Sequence, residues 1–494
     1  MLQPLLDAKG LEPNIQLQQP LPSVANVSNL ALHPVYVRTG GSGNFYDGIN
    51  FRYMPYWQGA GAASGPPLQT VRDGRMGSRL INTNYHVFAP RIGIAYSPSD
   101  KWSFRAGFGI FFSAESKNSI FDLSRGMGGR TTVLVQHNYD QPTFNYTNFL
   151  NTAALPVTVP ISLTWGAAQY LPDTSSLQYI LNVQRTLGKS TSVEAGYSGS
   201  ASRHLAHLDN ENQGILSPTL SSLQRLPYPE WGASGIQYVM ADASGNYNAL
   251  ALKLTQRFGG HLNTLLAYTF SKSLDDTSNI RGTGNDFSPQ DSTCPTTCEK
   301  GPSDFNIPQR FAASILYTLP FGKGEKFLNH GGVLNQVVGG WQLSTITTLQ
   351  SGGVVSTSAW DSGGTNFITN ATRLNCVAGV STLLPNNNQN GWFNPAAFTN
   401  PLAATFGTCG RNTMRGQWKG NEDVSIIKFF RIAEKRSLEF RTEMFNAPNH
   451  VELSSPNSIS WGNGSSPAPS STFGRITSTA TAMRQIQFAL KFNF

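Results

Sequence analysis

Charge is scarce in this chain. Asp, Glu, Lys and Arg together make up 13% of its 494 residues, about half the share of an ordinary soluble protein. So long a chain with so few charges lacks the surface that keeps soluble domains apart. Long apolar runs are missing too: no stretch of about 18 or more consecutive apolar residues occurs, which excludes a transmembrane helix. Basic tracts are also absent. The balance of +8, from 36 basic and 28 acidic residues, is spread thinly, so nucleic acid is not an expected partner. Cysteine is held to four residues, and Cys294 and Cys298 do not have the two-residue gap of redox and zinc motifs. Met1 to Lys9 shows no basic region followed by an apolar one, so no signal peptide is legible there. An exported protein needs one, and the expectation is a chain that starts partway through its natural reading frame.

What is present is aromatic and alternating. Aromatic residues reach 11%. The closing segment, 483–494, places Ile486, Phe488, Leu490, Phe492 and Phe494 at every second position, with Gln487, Ala489, Lys491 and Asn493 between them. Side chains alternate faces along a strand, so one face is greasy and the other polar. A strand of about ten residues with a lipid side and a water side is the unit of an outer-membrane β-barrel. A C-terminal aromatic strand of this kind is also what the barrel-insertion machinery reads, which makes that machinery an expected partner alongside outer-membrane lipid.

The same pattern recurs in pairs: 87–97 with 101–112, 176–186 with 191–200, 247–258 with 262–272, 309–319 with 340–350, and 424–431 with 436–446, before the closing strand. The pairs are joined by short turns, such as Ser97-Pro98-Ser99-Asp100, Gly259-Gly260-His261 and Ile432-Ala433-Glu434-Lys435, except for a longer Pro/Gly segment in the fourth. Between pairs the links 113–175, 201–246, 273–308, 351–423 and 447–482 are long and rich in Gly, Ser, Thr, Asn and Pro, which favour irregular chain. Short turns alternating with long loops describe an outer-membrane barrel with its short turns in the periplasm. The reading is therefore all-β, a transmembrane antiparallel β-barrel. Weaker candidates at 36–56 and 131–137 bring the expected count to about 12–14 strands.

Several phrases in these strands carry a family likeness. Phe88-Ala89-Pro90-Arg91-Ile92-Gly93-Ile94-Ala95-Tyr96-Ser97-Pro98, then Arg105-Ala106-Gly107-Phe108-Gly109-Ile110-Phe111-Phe112, resemble the barrel of Oar-like TonB-dependent receptors. So do Asp304-Phe305-Asn306-Ile307-Pro308-Gln309-Arg310-Phe311 and Phe445-Asn446-Ala447-Pro448-Asn449-His450. The resemblance implies a barrel of about 22 strands filled by an N-terminal plug and powered through TonB, importing large or scarce substrates. No plug or TonB box is legible here. The expectation is that 34–494 is the C-terminal portion of such a barrel, preceded by an irregular segment at 1–33. The TonB system would then act only through a plug outside this chain.

Site residues follow from the pattern. Lys253, Arg257, Glu439, Arg441 and Glu443 are expected to face the lumen, because a midplane Lys or Arg facing lipid costs about 2–4 kcal/mol. Trp102, Tyr197, Tyr268, Tyr317 and Trp341 are candidates for interfacial girdles. All four cysteines fall in long outer loops, where disulfides form on an oxidising side. Pairing within each loop, Cys294 with Cys298 and Cys376 with Cys409, is the first expectation and free thiols the alternative. Asp275, Asp276, Asp286, Asp291 and Asp304 match no EF-hand spacing and read as solvated loop carboxylates rather than a Ca²⁺ site. His204 and His207 read as exposed loop histidines rather than a metal pair. Gly196-Tyr197-Ser198-Gly199-Ser200 lacks the setting of a nucleophile elbow, and Arg281-Gly282-Thr283-Gly284-Asn285 that of a phosphate cradle. No metal, cofactor or catalytic residue is expected. Two other functions compete with a receptor barrel: a secreted or surface β-rich binding or adhesion module, and a small stand-alone porin.

Overall fold

The computed structural model describes residues 13–16, 35–40, 70–82, 84–113, 164–221, 224–227, 236–278, 289–329, 331–360, 371–402, 404–433, 436–456, 459–461 and 469–494. Its main feature is one continuous antiparallel wall of eleven strands. These are β1 (Arg91–Ser99), β2 (Trp102–Ser113), β3 (Thr174–Leu187), β4 (Thr191–Asn210), β5 (Ile236–Phe258), β6 (Leu262–Asp275), β7 (Gln309–Thr318), β8 (Trp341–Gln350), β9 (Lys419–Ala433), β10 (Arg436–Phe445) and β11 (Gln485–Asn493). Every strand pairs with its sequence neighbours, so the wall is an up-and-down meander with β1 and β11 at its two edges. Each of the eleven alternating segments of the sequence supplies one strand.

Register divides the wall into two chemistries. One row across it reads Phe104, Val183, Ala195, Leu252, Tyr268, Phe311 and Leu349. A second reads Tyr317, Leu343, Ile426, Thr442 and Phe488 on the same side. A row on the opposite side reads Arg105, Asn182, Gly196, Ala251, Thr269, Arg310, Gln350 and Lys419. Period-two side-chain geometry turns the alternation of the sequence into one apolar and one polar face. The apolar face carries aromatic residues near both ends. Tyr179 and Tyr197 stack at 6.1 Å and both donate to Asn248 Oδ1 at 2.7 Å. At the short-turn end the Arg185 guanidinium lies 4.8 Å over the Trp102 ring. Among the described residues no helix is long and apolar enough to cross a membrane.

Three sequence expectations change. The link 201–246 is in good part strand: β4 and β5 run past the expected ends and pair out to Asn210 opposite Gln237. A bulge around His204, with φ of 57°, interrupts the register there and blurs the alternation. Leu208 and Val239 of this extension pack with Val37, Met76, Leu80, Ala167 and Leu171 in a small core. Secondly, Val35–Arg38, overlapping the start of the weak candidate 36–56, does not join the wall. It pairs with Pro13–Gln16, a short strand within the segment expected to be irregular, and with Thr70–Val71. Residues 41–56 of that candidate and all of 131–137 lie outside the described residues. Thirdly, the link 351–423 is organised rather than structureless. It builds a second core of Val355, Ala359, Leu374, Phe393, Ala397, Phe398, Cys409 and Met414, joined by Phe473 from the last long link.

Candidate functional site

The polar face of the wall is the first part of the site. Lys253 on β5 stands between Glu194 of β4 and Ala267 of β6, and Arg257 stands opposite Asn263. Glu439, Arg441 and Glu443 occupy successive positions of that face on β10. There the Arg441 guanidinium donates to Glu439 Oε1 at 2.6 Å and to Glu443 Oε1 at 3.3 Å. Lys491 and Gln487 of β11 lie across from Glu439 and Glu443, and Gln487 donates to Glu443. The five expected residues thus share one face but form two groups. Five strand spacings separate β5 from β10, roughly 24 Å along the sheet. Opposite them, Ile486, Phe488, Leu490 and Phe492 occupy the apolar face of β11, and Phe494 follows the strand and is exposed.

A cap covers the long-loop end. Arg411, buried, donates to the Asp275 carboxylate at the end of β6 and to Glu299 O at 2.8 Å. Arg373 grips Glu299 with two bonds, 2.6 and 3.1 Å. Asn412 donates to Asp304 Oδ1 at 2.6 Å and to Pro302 O at 3.0 Å. Gln290 reaches Gly407 O at 3.0 Å. These bonds latch the 289–306 link to the 371–415 link. The structure pairs Cys294 with Cys298 and Cys376 with Cys409, the second bond tying exposed Cys376 to Cys409 in the cap's core. Two expectations are corrected here. Asp275 and Asp276 are buried rather than solvated: Arg411 neutralises the first, and Ser244 donates to the second through Oγ at 2.6 Å and N–H at 3.0 Å. Asp304 is likewise tied into the latch, while Asp291 receives Thr293 N–H at 2.9 Å. Asp286 and 281–285 lie outside the described residues. Beside the latch, Ser200, Ser202, Tyr247, Ser278, Ser303 and Phe305 line a recess of about 320 Å³.

The extension of β4 and β5 holds an ionisable cluster in which His207 and Asp209 are buried, Glu211 and Tyr238 half-buried and Asp242 exposed. His204 is exposed as expected, but His207 is buried and bonds Asp242 through Nε2. Burial opposes the imidazolium, yet the Asp242 bond and the charges of Asp209, Asp242 and Glu211 outweigh it and raise the His207 pKa. Burial pushes the Asp209 carboxyl up to about 6 and the Glu211 carboxyl up to about 7. Tyr238, half-buried and near Glu211, is pushed up to about 12 by loss of solvent and by the Glu211 charge. The Asp242 carboxyl is lowered by its bond to His207. Sequence reasoning missed the arginine latch because its partners come from separate links, and the cluster because its partners lie on two strand extensions of one link, 201–246, read as irregular chain. Among the described residues no group of three or more His, Cys, Asp or Glu side chains is placed to hold a metal ion.

The decisive comparison is with protein families. The outer membrane beta barrel domain family matches residues 31–487. The chain belongs to that family. Its barrel therefore sits in the outer membrane, with the apolar face of the wall toward lipid. Comparison with curated protein sequences finds no match. Among solved structures the barrel is similar to the FrpB iron transporter from Neisseria meningitidis, at 10% identity and a TM-score of 0.39, covering 82% of this chain and 39% of that one. It is similar to the outer membrane transporter YddB from Escherichia coli, at 10% identity and 0.40, covering 80% and 38%. A third is the ferripyoverdine receptor of the outer membrane of Pseudomonas aeruginosa, at 9% identity and 0.38, covering 82% and 33%. The chain spans well under half the length of these structures.

Proposed function

We propose that this chain is the barrel portion of an Oar-like TonB-dependent receptor. Its outer cap captures a substrate, and the polar face lines a lumen that opens when a plug, supplied outside this chain, moves. The observation that carries the reading is the division of the wall into two chemistries. A lipid-facing side is required by any barrel, but a polar face with Lys253, Arg257, Glu439, Arg441 and Glu443 needs an aqueous or protein-filled interior. The cap supports a receptor over a bare pore. Its buried arginine latch and its own core fix the loops into a surface, and rigid presentation is what selective capture requires. The motif phrases around Arg91, Asp304 and Phe445 support the Oar-like subtype. TonB then acts through the plug, and the insertion machinery through β11.

The test is the intact mass of the native gene product in isolated outer membranes. A mass well above 53.6 kDa is expected, with plug and signal encoded ahead of residue 1. A product of 53.6 kDa that conducts ions by itself would instead establish a stand-alone porin. Recovery in soluble fractions alone would establish a secreted binding module.

A further inference from the structure

The link between β7 and β8, residues 319–340, is long for the short-turn end, and its described residues are folded. Phe321 and Phe327 pack at 5.9 Å between ring centroids, Phe327 N–H donates to Pro320 O at 3.0 Å, and Lys323 N–H donates to Asn335 Oδ1 at 2.7 Å. The link carries a single-turn helix, α1 (Val333–Val338).

Its position is set by residues of the apolar face. Lys428 pairs with Trp341 in the row that continues to Phe440, so its side chain leaves the wall on the lipid side. A bare lysine at that rim costs at most about 1 kcal/mol. Yet Lys428 is only 2% exposed. Its ammonium donates to Val337 O and Gly339 O, the orphan carbonyls at the end of α1, and lies 5.1 Å over the rings of Trp341 and Phe430. Trp341 Nε1 donates to Val337 O as well, at 2.9 Å. The helix is therefore held against the outside of the wall, not under its lumen. It turns its own apolar side outward: Val333 is 82% exposed, Val337 62% and Leu334 47%. Lys323 and Lys326 are exposed on the same link, while Glu325 is engaged by His261 at 3.4 Å.

We propose that this link is a membrane-interface anchor. α1 lies in the headgroup layer of the inner leaflet, Val333, Leu334 and Val337 face acyl chains, and Lys323 and Lys326 meet lipid phosphates. The apolar patch continues the lipid-facing side of the wall at its short-turn rim, and its two exposed lysines, Lys326 also lying 5.3 Å over the Phe327 ring, complement an anionic glycerophospholipid surface. The inference rests on the barrel's lipid-facing side and on the short turns being periplasmic.

The test uses the full chain in vesicles of phosphatidylethanolamine and phosphatidylglycerol, with Val333→Cys or Val337→Cys carrying an environment-sensitive fluorophore. Val451→Cys, exposed at the opposite end, is the aqueous control. Lipids spin-labelled near the glycerol should remove most of the emission at 333 and 337, and aqueous iodide little. At 451 iodide should quench and the lipid label should not. Iodide quenching at 333 and 337 equal to that at 451 would overturn the anchor, whether the helix is free or awaits a protein partner. If the short turns instead faced outward, both helix probes would stay lipid-quenched but become labelled on intact cells, which separates that failure from failure of the anchor.

Discussion

Leu252 and Lys253 are adjacent, both exposed, and opposite in what they meet. Leu252 lies in the apolar row between Ala195 and Tyr268, and Lys253 in the polar row between Glu194 and Ala267. Leu252→Arg should therefore destabilise the inserted protein by about 2–4 kcal/mol, while Lys253→Leu should change little, as read by urea unfolding in lipid vesicles. Equal costs would sink the assignment of the two faces. At the cap the decisive pair is Asp275 and Arg411, both buried. Arg411→Met leaves the Asp275 carboxylate unpaired, a loss of about 3–5 kcal/mol from the cap. The variant should be cut rapidly by protease within 371–415 while the barrel stays protected. Adding Asp275→Asn should restore much of that resistance; if it does not, the latch acts through something other than charge pairing.

Elements differ in how plainly they were written. The wall was legible because each strand has one face in lipid and one in a polar interior, so alternation survives in the sequence and fixes register. The outer extension of β4 and β5 was not, because both of its faces are covered. Leu208 and Val239 enter one core while His207 and Asp209, on the other side, are buried too, and burial on both sides erases the period. The cap was illegible for a related reason: Arg373, Glu299 and Arg411 meet only through long-range folding of two links. The extension should respond to pH. The Asp209 and Glu211 carboxyls are raised, so the unfolded segment releases their protons first and stability falls as pH climbs from about 4 to 7. The raised His207 pKa acts in the same direction, while the lowered Asp242 pKa contributes only below that window. Amide exchange at 205–210 and 236–243, corrected for intrinsic rate, should be slower at pH 5 than at pH 8; the reverse order would refute the assignment. Within the cap, the Cys376–Cys409 bond closes a separation of 33 residues. Replacing both by serine should cost the cap about 3–4 kcal/mol, read as a lower protease threshold for the cap with unaltered wall strands.

At the scale of the whole molecule, the wall behaves as a ribbon with two edges. Its short-turn rim carries the folded β7–β8 link and its long-loop rim the cap, so both rims are organised. The count of strands has a consequence of its own. With eleven alternating strands, β1 and β11 run in the same sense. Joining those edges directly would make a parallel seam, and so would placing a second copy, inserted in the same sense, edge to edge. An antiparallel seam demands an odd number of further strands whose first and last run outward, drawn from outside the described residues or from another chain. Parity thus narrows what can complete this ribbon, before any sequence is compared.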